Sequence, residues 1–119
     1  MQEILFAALR EGAHIPQKRA EDAGYDIYAC FDEPYRILMP HQTDLIPSGI
    51  ISAFPENYVA ILKERGSTGI RGFGQRAGVI DSGYRGEWMI ALTNLNEQPL
   101  AIVKAAYDAA PELQDFIRY

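Results

Sequence analysis

The sequence has very little of what disulfide-bonded, zinc-binding and membrane proteins depend on. Cys30 is the only cysteine among 119 residues, so no internal disulfide is expected. Two histidines and one cysteine are too few for a zinc site built from those ligands. No apolar run approaches the length that spans a bilayer, and Met1-Gln2-Glu3 carries an acid where a secretory signal needs positive charge. We therefore expect a cytoplasmic protein with no membrane partner.

An excess of positive charge is also missing. The formal net charge is −5, from 11 basic and 16 acidic residues, which argues against a nucleic-acid partner because such partners need a basic surface to replace counterions. Hydrophobic residues are 48% of the chain and charged residues 23%, which is ordinary globular usage. A chain of this length buries about two-thirds of its unfolded surface. We expect residues 1–119 to form a single domain.

Short apolar or alternating runs are separated by turn signals about every ten residues. This spacing is typical of an all-β sandwich or barrel and not of βαβ units. The predicted strands cover residues 4–9, 25–29, 36–39, 44–46, 50–53, 58–63, 87–93 and 100–103. Pro47-Ser48-Gly49 is predicted to be a tight turn. The one candidate helix begins at Pro111 and has Leu113, Phe116 and Ile117 on one face.

Basic residues and glycines are concentrated in residues 63–85. This stretch holds five of the eleven basic residues against two acids, so it carries +3 inside a −5 chain. With Gly86 it also holds seven of the ten glycines. Flexible backbone beside guanidinium groups suits the close approach of a phosphate. A glycine-rich hairpin with solvated arginines explains the same composition, and composition alone does not decide between the two.

Three short segments carry residues suited to chemistry. In Ala23-Gly24-Tyr25-Asp26, the acid can hold a metal's water ligands at the rim of a sheet, or simply cap a turn. In Arg65-Gly66-Ser67-Thr68-Gly69, a guanidinium, two hydroxyls and free amides can wrap phosphate oxygens, although the segment is no P-loop. In residues 78–87, Asp81 and Tyr84 flank a Ser-Gly turn of a predicted hairpin. That carboxylate can accept a proton from attacking water and that ring can stack on a sugar, or the turn has no chemistry.

Together, Ala-Gly-Tyr-Asp, Arg-Gly-Ser and Gly-Val-Ile-Asp-Ser-Gly-Tyr-Arg-Gly-Glu, in this order, resemble the trimeric dUTPase family (deoxyuridine triphosphate nucleotidohydrolases). The match runs over residues 4–103. The resemblance implies an all-β fold, a distorted jelly roll of the β-clip type, that assembles as a homotrimer with its sites between subunits. It also implies hydrolysis of dUTP to dUMP and diphosphate with Mg²⁺.

The resemblance also implies roles for individual residues. Asp81 would orient and deprotonate the water that attacks the α-phosphorus, and Tyr84 would pack on the deoxyribose and disfavour ribose. Asp26 would act on Mg²⁺ through water. The implied substrate-binding residues are Arg65, Gly66, Ser67, Gln75, Gly78, Val79, Ile80, Asp81, Tyr84 and Met89. The first three would hold phosphates from a neighbouring subunit, and the others surround the uracil and the sugar.

The sequence departs from the family in three ways, the first of which is that the gap from Arg65 to Asp81 is shorter than in many members. Gly66 stands where the family more often has serine, which moves the hydroxyl to Ser67 or Thr68. We also expect residues 1–119 to lack the family's C-terminal glutamine segment and glycine-rich arm, so that nucleotide binds weakly and turns over slowly.

Two other functions compete with dUTP hydrolysis. One is a non-catalytic nucleotide-binding or regulatory module on the same scaffold. The other is a dCTP deaminase-like enzyme, whose general base is a glutamate ten residues after the turn aspartate. Ala91 stands at that position, so deamination lacks its proton acceptor.

Overall fold

The chain is seen in a computed structural model that describes residues 4–104 and the backbone of residues 117 and 118. Nearly all of its regular structure is β. The strands are β1 (Leu5–Ala8), β2 (Tyr35–Leu38), β3 (Thr43–Pro47), β4 (Ile50–Ala53), β5 (Ala60–Ile61), β6 (Phe73–Arg76), β7 (Val79–Ile80), β8 (Met89–Asn94), β9 (Leu100–Val103) and β10 (Ile117–Arg118). The helix α1 (Gly66–Ile70) has five residues. The predicted all-β class is confirmed, and α1 was not predicted.

The described residues divide into two compact units. Unit 1 contains residues 4–31, 46–62 and 78–90, and unit 2 contains residues 32–45, 63–77, 91–104 and 117–118. Each unit has its own hydrophobic cluster. The single domain expected for residues 1–119 stays a prediction.

Unit 1 is built on two antiparallel strand pairs. β1 pairs with β4, and β5 pairs with β7. Ile50, Ile80 and Trp88 form the buried centre, and Phe6 and Ile27 are among the partly buried residues packed on it. Alternate residues of β4 face inward (Ile50 and Ser52 are buried), as expected for a strand with one face on a core.

A tight turn was predicted at Pro47-Ser48-Gly49; in the structure Pro47 ends β3, and Ser48 and Gly49 connect it to β4. Gly49 has φ of 72°, and a Cβ built there would lie 2.8 Å from the Cβ of Ala13. Both the left-handed backbone and the close packing demand glycine, because any other side chain would meet the 13 position. Gly49 therefore connects β3 to β4 and packs closely against Ala13.

Unit 2 contains the sheet β10-β9-β2, in which β2 and β9 are antiparallel and β10 and β9 are parallel. It also contains β6, which pairs antiparallel with the part of β8 from Ala91 to Asn94. Leu38, Phe73 and Leu100 form its buried centre. These residues come from β2, β6 and β9, so the cluster ties three strands that are distant in sequence.

Several sequence predictions need correction. Residues 25–29 were predicted as a strand but form none. Their alternation of apolar and polar residues places Ile27 against the core, but their backbone does not pair with a neighbouring strand. The strand predicted at residues 58–63 is reduced to Ala60–Ile61. Most of the candidate helix lies outside the described residues. Ile117, the last residue predicted on its apolar face, is in the strand β10. No helix in the described part of the chain is long and apolar enough to cross a membrane.

Candidate functional site

The Asp81–Tyr84 turn leaves β7 immediately after the buried Ile80. The Tyr84 N–H donates a 3.1 Å hydrogen bond to the Asp81 carbonyl, which closes the turn. The predicted hairpin is wrong in one respect, because its two arms do not pair with each other. β7 pairs with β5, whereas β8 lies in the sheet β3-β8-β6. Hydrophobic alternation alone could not reveal this, since it indicates a buried face and not the partner strand.

The Asp81 side chain is exposed at the start of this turn. Within residues 4–104 no group donates a hydrogen bond to its carboxylate, so its lone pairs remain available to solvent or to a ligand. Ile80, directly before it, is 8% exposed and belongs to the core of unit 1. The exposed carboxylate therefore directly follows a buried residue of the core.

Tyr84 is held by the backbone of the same turn. Its hydroxyl donates a 2.8 Å hydrogen bond to the Glu87 carbonyl, while 42% of the residue stays exposed. The ring lies over Gly86, where a Cβ would come within 2.5 Å of the hydroxyl oxygen. The position of the Tyr84 ring therefore requires a glycine at residue 86.

Arg85 is committed to the turn itself. Its Nη1 donates to the carbonyls of Ser82 at 2.6 Å, Tyr84 at 3.2 Å and Ser52 at 3.3 Å. The guanidinium therefore braces the turn against β4. One of the five basic residues counted toward a phosphate-binding stretch serves the local structure instead.

Glu87 was quoted in the sequence motif but was assigned no role. Its Oε2 accepts hydrogen bonds of 2.9 Å from the Arg10 guanidinium and of 2.9 Å from the Gly49 N–H. The hydrogen bond from Arg10, together with the N–H of Gly49, holds the pKa of the Glu87 carboxyl below its ordinary value despite partial burial. Arg10 lies 77 residues away, so local sequence carries no sign of this pair.

Trp88 is a packing residue. It is 3% exposed, its indole N–H donates to Ser52 Oγ at 2.9 Å, and its carbonyl accepts from Ser48 Oγ at 2.6 Å.

Unit 1 also has a mostly apolar cavity of about 500 Å³, whose walls include Phe6, Lys18 and Trp88. None of the predicted catalytic or substrate-binding residues lines this cavity.

Asp26 is exposed in the loop that replaces the predicted strand, also in unit 1. Among the described residues, no group of three or more His, Cys, Asp or Glu side chains is arranged to hold a metal ion.

The residues predicted to hold phosphate lie in unit 2. Arg65 precedes α1, its carbonyl accepts a 2.9 Å hydrogen bond from the Gly69 N–H, and its side chain is exposed. Gly66 and Ser67, the first residues of α1, are also exposed, whereas Thr68 is buried. Because Thr68 points inward, Ser67 is the hydroxyl of this segment that a ligand could reach.

The remaining predicted residues are divided between the units. Gln75 lies in β6 of unit 2, where its side-chain amide donates to the Arg76 carbonyl at 2.8 Å. Gly78, Val79, Ile80 and Met89 lie in unit 1 with the Asp81–Tyr84 turn, and Val79 is 64% exposed. The structure thus places the predicted catalytic, base and sugar residues in unit 1, apart from Gln75, and the phosphate segment in unit 2.

Comparison with known proteins gives a consistent result. The dUTPase family model matches residues 10–106. The chain is 34% identical over 104 residues to the deoxyuridine 5'-triphosphate nucleotidohydrolase of Leptospira interrogans, covering 84% of this chain and 71% of the relative. It is 37% identical over 87 residues to the enzyme of that name from Orientia tsutsugamushi, covering 70% of this chain and 57% of the relative.

Solved structures agree with the sequence comparison. The dUTPase from phage phi11 of S. aureus superposes with a TM-score of 0.73 at 28% identity, over 81% of this chain and 62% of that one. The dUTPase of Staphylococcus bacteriophage 80alpha, solved with dUpNHpp, gives 0.72 at 28% identity, over 81% and 56%. The chain thus spans about three-fifths of these phage proteins. From the family match over residues 10–106, together with these relatives, the chain belongs to the dUTPase family.

Proposed function

We propose that this chain hydrolyses dUTP to dUMP and diphosphate, with Asp81 as general base. The observation that carries the proposal is the exposed Asp81 carboxylate, free of hydrogen bonds from the described residues and mounted on the buried Ile80. Water attacks the α-phosphorus and gives its proton to Asp81, and the bond from that phosphorus to the oxygen bridging to the β-phosphorus breaks. Diphosphate leaves with the electron pair. The water must be oriented toward the α-phosphorus. A proton acceptor placed beside that water raises the rate by about 10²–10⁴-fold.

The base and sugar contacts follow from the same turn. β7 belongs to a two-stranded sheet, so within the described residues one edge of its backbone has no strand partner. That edge, around Val79 and Ile80, has N–H and C=O groups able to read a uracil edge, whereas the Gly78 carbonyl accepts a 2.8 Å hydrogen bond from the Leu62 N–H. The Tyr84 ring, tethered through its hydroxyl, supplies the surface on which deoxyribose packs and which an added 2'-hydroxyl would disturb. Met89 borders the base.

The phosphates are assigned to Arg65, Gly66 and Ser67 of a neighbouring subunit in a homotrimer, in the cytoplasm. The exposed guanidinium of Arg65 presents paired donors that match phosphate oxygens, and Ser67 Oγ is an exposed hydroxyl. Gly66 has open space around it, since a Cβ there would meet nothing within 4 Å. A ligand oxygen can therefore approach the backbone at this point.

A magnesium ion fits this arrangement only as a partner of the substrate. Mg²⁺ keeps several waters and is usually held by one or two carboxylates plus phosphate oxygens. Asp26, exposed on its loop, would hold it through water. When bound, Mg²⁺ neutralises charge on the phosphate oxygens. A solved phi11 phage dUTPase coordinates a structural Mg(II) ion, which supports binding of this metal in the family.

A regulatory role without turnover is the second candidate. The 80alpha phage dUTPases, which share this fold at 28% identity, are described as controlling the transfer of virulence genes by a proto-oncogenic G protein-like mechanism. A deaminase is disfavoured, because Ala91 is 9% exposed in β8 and has no group that accepts a proton.

The test is a turnover assay on the full chain with dUTP and Mg²⁺, following dUMP and diphosphate. Asp81→Asn should lower the rate by about 10²–10⁴-fold while nucleotide binding persists. Asp32→Asn, which changes an exposed aspartate outside the proposed site, is the matched control and should leave the rate unchanged. An unchanged rate in Asp81→Asn would refute Asp81 as the base. Binding of dUTP without turnover by the wild-type chain would favour the regulatory candidate.

A further inference from the structure

We propose that Glu87 is a positioning residue that fixes the Tyr84 ring and thereby sets the discrimination between deoxyribose and ribose. This inference rests on the proposed dUTP hydrolysis and adds a residue to it. Glu87 itself need not touch the nucleotide. It acts through the hydrogen bond from the Tyr84 hydroxyl to its backbone carbonyl, which is 2.8 Å long.

The side chain of Glu87 is anchored from two directions. Its Oε2 receives the Gly49 N–H at the tight turn before β4 and the Arg10 guanidinium from the loop after β1, each at 2.9 Å. The same Arg10 Nη2 donates to the Cys30 carbonyl at 2.9 Å, so the cation is itself held in place. Two segments that are distant in sequence therefore meet at the Glu87 carboxylate, and a third, at Cys30, holds the Arg10 cation. The Glu87 side chain is 23% exposed.

The main chain after Glu87 is anchored as well. The Trp88 N–H donates to the Ile50 carbonyl at 3.0 Å, and Ser48 Oγ donates to the Trp88 carbonyl at 2.6 Å. The hydrogen bonds to the Glu87 carboxylate and those to the backbone of Trp88 together restrict the position of the Glu87 carbonyl. The acceptor of the Tyr84 hydroxyl is thus fixed to the core of unit 1, although Tyr84 itself is 42% exposed.

Discrimination between dUTP and UTP depends on a small chemical difference. Ribose differs from deoxyribose by one hydroxyl, so an aromatic surface excludes it only if the ring cannot yield. An exposed ring without its tether can rotate about two side-chain torsions and admit the larger sugar. Loosening the Glu87 anchor should therefore affect the ratio of the two substrates more than the rate with dUTP.

The experiment compares kcat/KM for dUTP and UTP in the full chain and its variants. Glu87→Ala removes both anchors and should lower the dUTP/UTP ratio about tenfold, the effect of roughly 1.4 kcal/mol. Glu87→Gln should lower it less, because the amide oxygen still accepts from Gly49 N–H while Arg10 loses its charged partner. Tyr84→Phe, which removes only the hydroxyl, should match Glu87→Ala, and the double variant should show no further fall. Glu56→Gln, an exposed glutamate in the turn before β5, is the control and should keep the wild-type ratio.

A merely structural role for Glu87 would lower activity on both nucleotides equally and leave their ratio unchanged. That result in Glu87→Ala and Glu87→Gln would overturn the inference while leaving dUTP hydrolysis in place. Additive effects of Glu87→Ala and Tyr84→Phe would also overturn it, because the two changes would then act separately.

If the wild-type chain hydrolyses neither nucleotide, the proposed function fails and a second measurement decides the positioning. Amide hydrogen exchange at Tyr84, whose N–H closes the turn, should be about tenfold faster in Glu87→Gln than in Glu56→Gln. The Gly69 N–H of α1, in unit 2, is the internal reference and should not change. Equal exchange at Tyr84 in both variants would refute the positioning role.

Discussion

A Cβ placed on Gly86 would lie 2.5 Å from the hydroxyl oxygen and 2.7 Å from Cζ of Tyr84, so the glycine and the ring occupy adjoining space. Gly86→Ala should push the ring out of its hydrogen bond with the Glu87 carbonyl. Because Tyr84 is 42% exposed, the ring can move into solvent, and the fold should lose only about 1 kcal/mol. The dUTP/UTP ratio of kcat/KM should fall, as measured in a steady-state assay.

Gly83→Ala is the control in the same turn. A Cβ there meets nothing within 4 Å, so both the ratio and the free energy of unfolding should stay near the wild-type values. A fall in the ratio for Gly83→Ala as large as that for Gly86→Ala would mean that the turn is sensitive to any added methyl group, and not that the ring needs this glycine.

Ser52→Ala tests the buried hydrogen bond from the Trp88 indole. Ser52 is 3% exposed, and removing its hydroxyl leaves the indole N–H without its 2.9 Å acceptor. The free energy of unfolding should drop by about 1–3 kcal/mol. Urea denaturation followed by fluorescence measures this directly, since Trp88 is the only tryptophan in the chain. The exposed Ser67→Ala should change stability by less than about 0.5 kcal/mol, and a similar small change in Ser52→Ala would contradict the prediction.

Asn94→Asp tests a buried amide in unit 2. Asn94 is 1% exposed, and its Nδ2 donates to the carbonyls of Leu38 at 3.0 Å and Gln98 at 2.9 Å. An ionised aspartate cannot donate, so the substitution buries a charge facing two carbonyls and should cost roughly 3 kcal/mol at pH 7. Burial raises the pKa of such a carboxyl, so part of the loss should be recovered as pH falls, when protonation removes the charge and restores one donor.

Urea denaturation of Asn94→Asp at pH 7 and pH 5 is the measurement, each compared with wild type at the same pH. Asn57→Asp, in the exposed turn before β5, should show neither the large loss nor the recovery. A destabilisation that grows toward low pH would contradict the burial of this side chain.

The Arg10–Glu87 pair predicts a pH dependence of stability. The hydrogen bond from Arg10 keeps the pKa of Glu87 below the ordinary value of 4.5, so its folded pKa is depressed relative to the unfolded chain. A depressed carboxyl stabilises the fold above its unfolded pKa and loses that contribution as pH falls through the folded pKa. The stability difference between wild type and Glu87→Gln should therefore be constant near pH 7 and shrink below about pH 4.5. Chemical denaturation at several pH values checks it, and a difference that widens below that pH would show that the sign is wrong.

Much of the strand pattern was predictable because it depends on local chemistry. β1, β2, β4 and β9 lie within or beside their predicted ranges, since alternating or apolar runs bounded by Pro, Gly and Asn have few other solutions. Residues 25–29 show where this reasoning ends. Their alternation suits a strand, but a strand also needs a partner with free backbone groups, and local sequence does not say whether one is available.

The candidate site divides in the same way. The motif residues Asp81 and Tyr84 were identified from their order along the chain, and their turn is present with its 3.1 Å hydrogen bond. The short helix over Gly66–Ile70 was missed because it contains two glycines, which disfavour helix. Arg85 is one of the five basic residues of the stretch 63–85, for which composition left phosphate binding and solvated arginines open, and its hydrogen bonds to Ser52, Ser82 and Tyr84 use it within the turn.

The amino-acid sequence by itself determined the fold class, the family motifs and the glycines that the turns require, because each depends on residues adjacent in the chain. The tertiary structure alone decided which strands pair across the Asp81–Tyr84 turn and that Arg10, from 77 residues away, meets Glu87. The physical reason is that such contacts depend on how separate segments converge in space. Many arrangements satisfy the same local preferences, and packing of the whole chain selects among them.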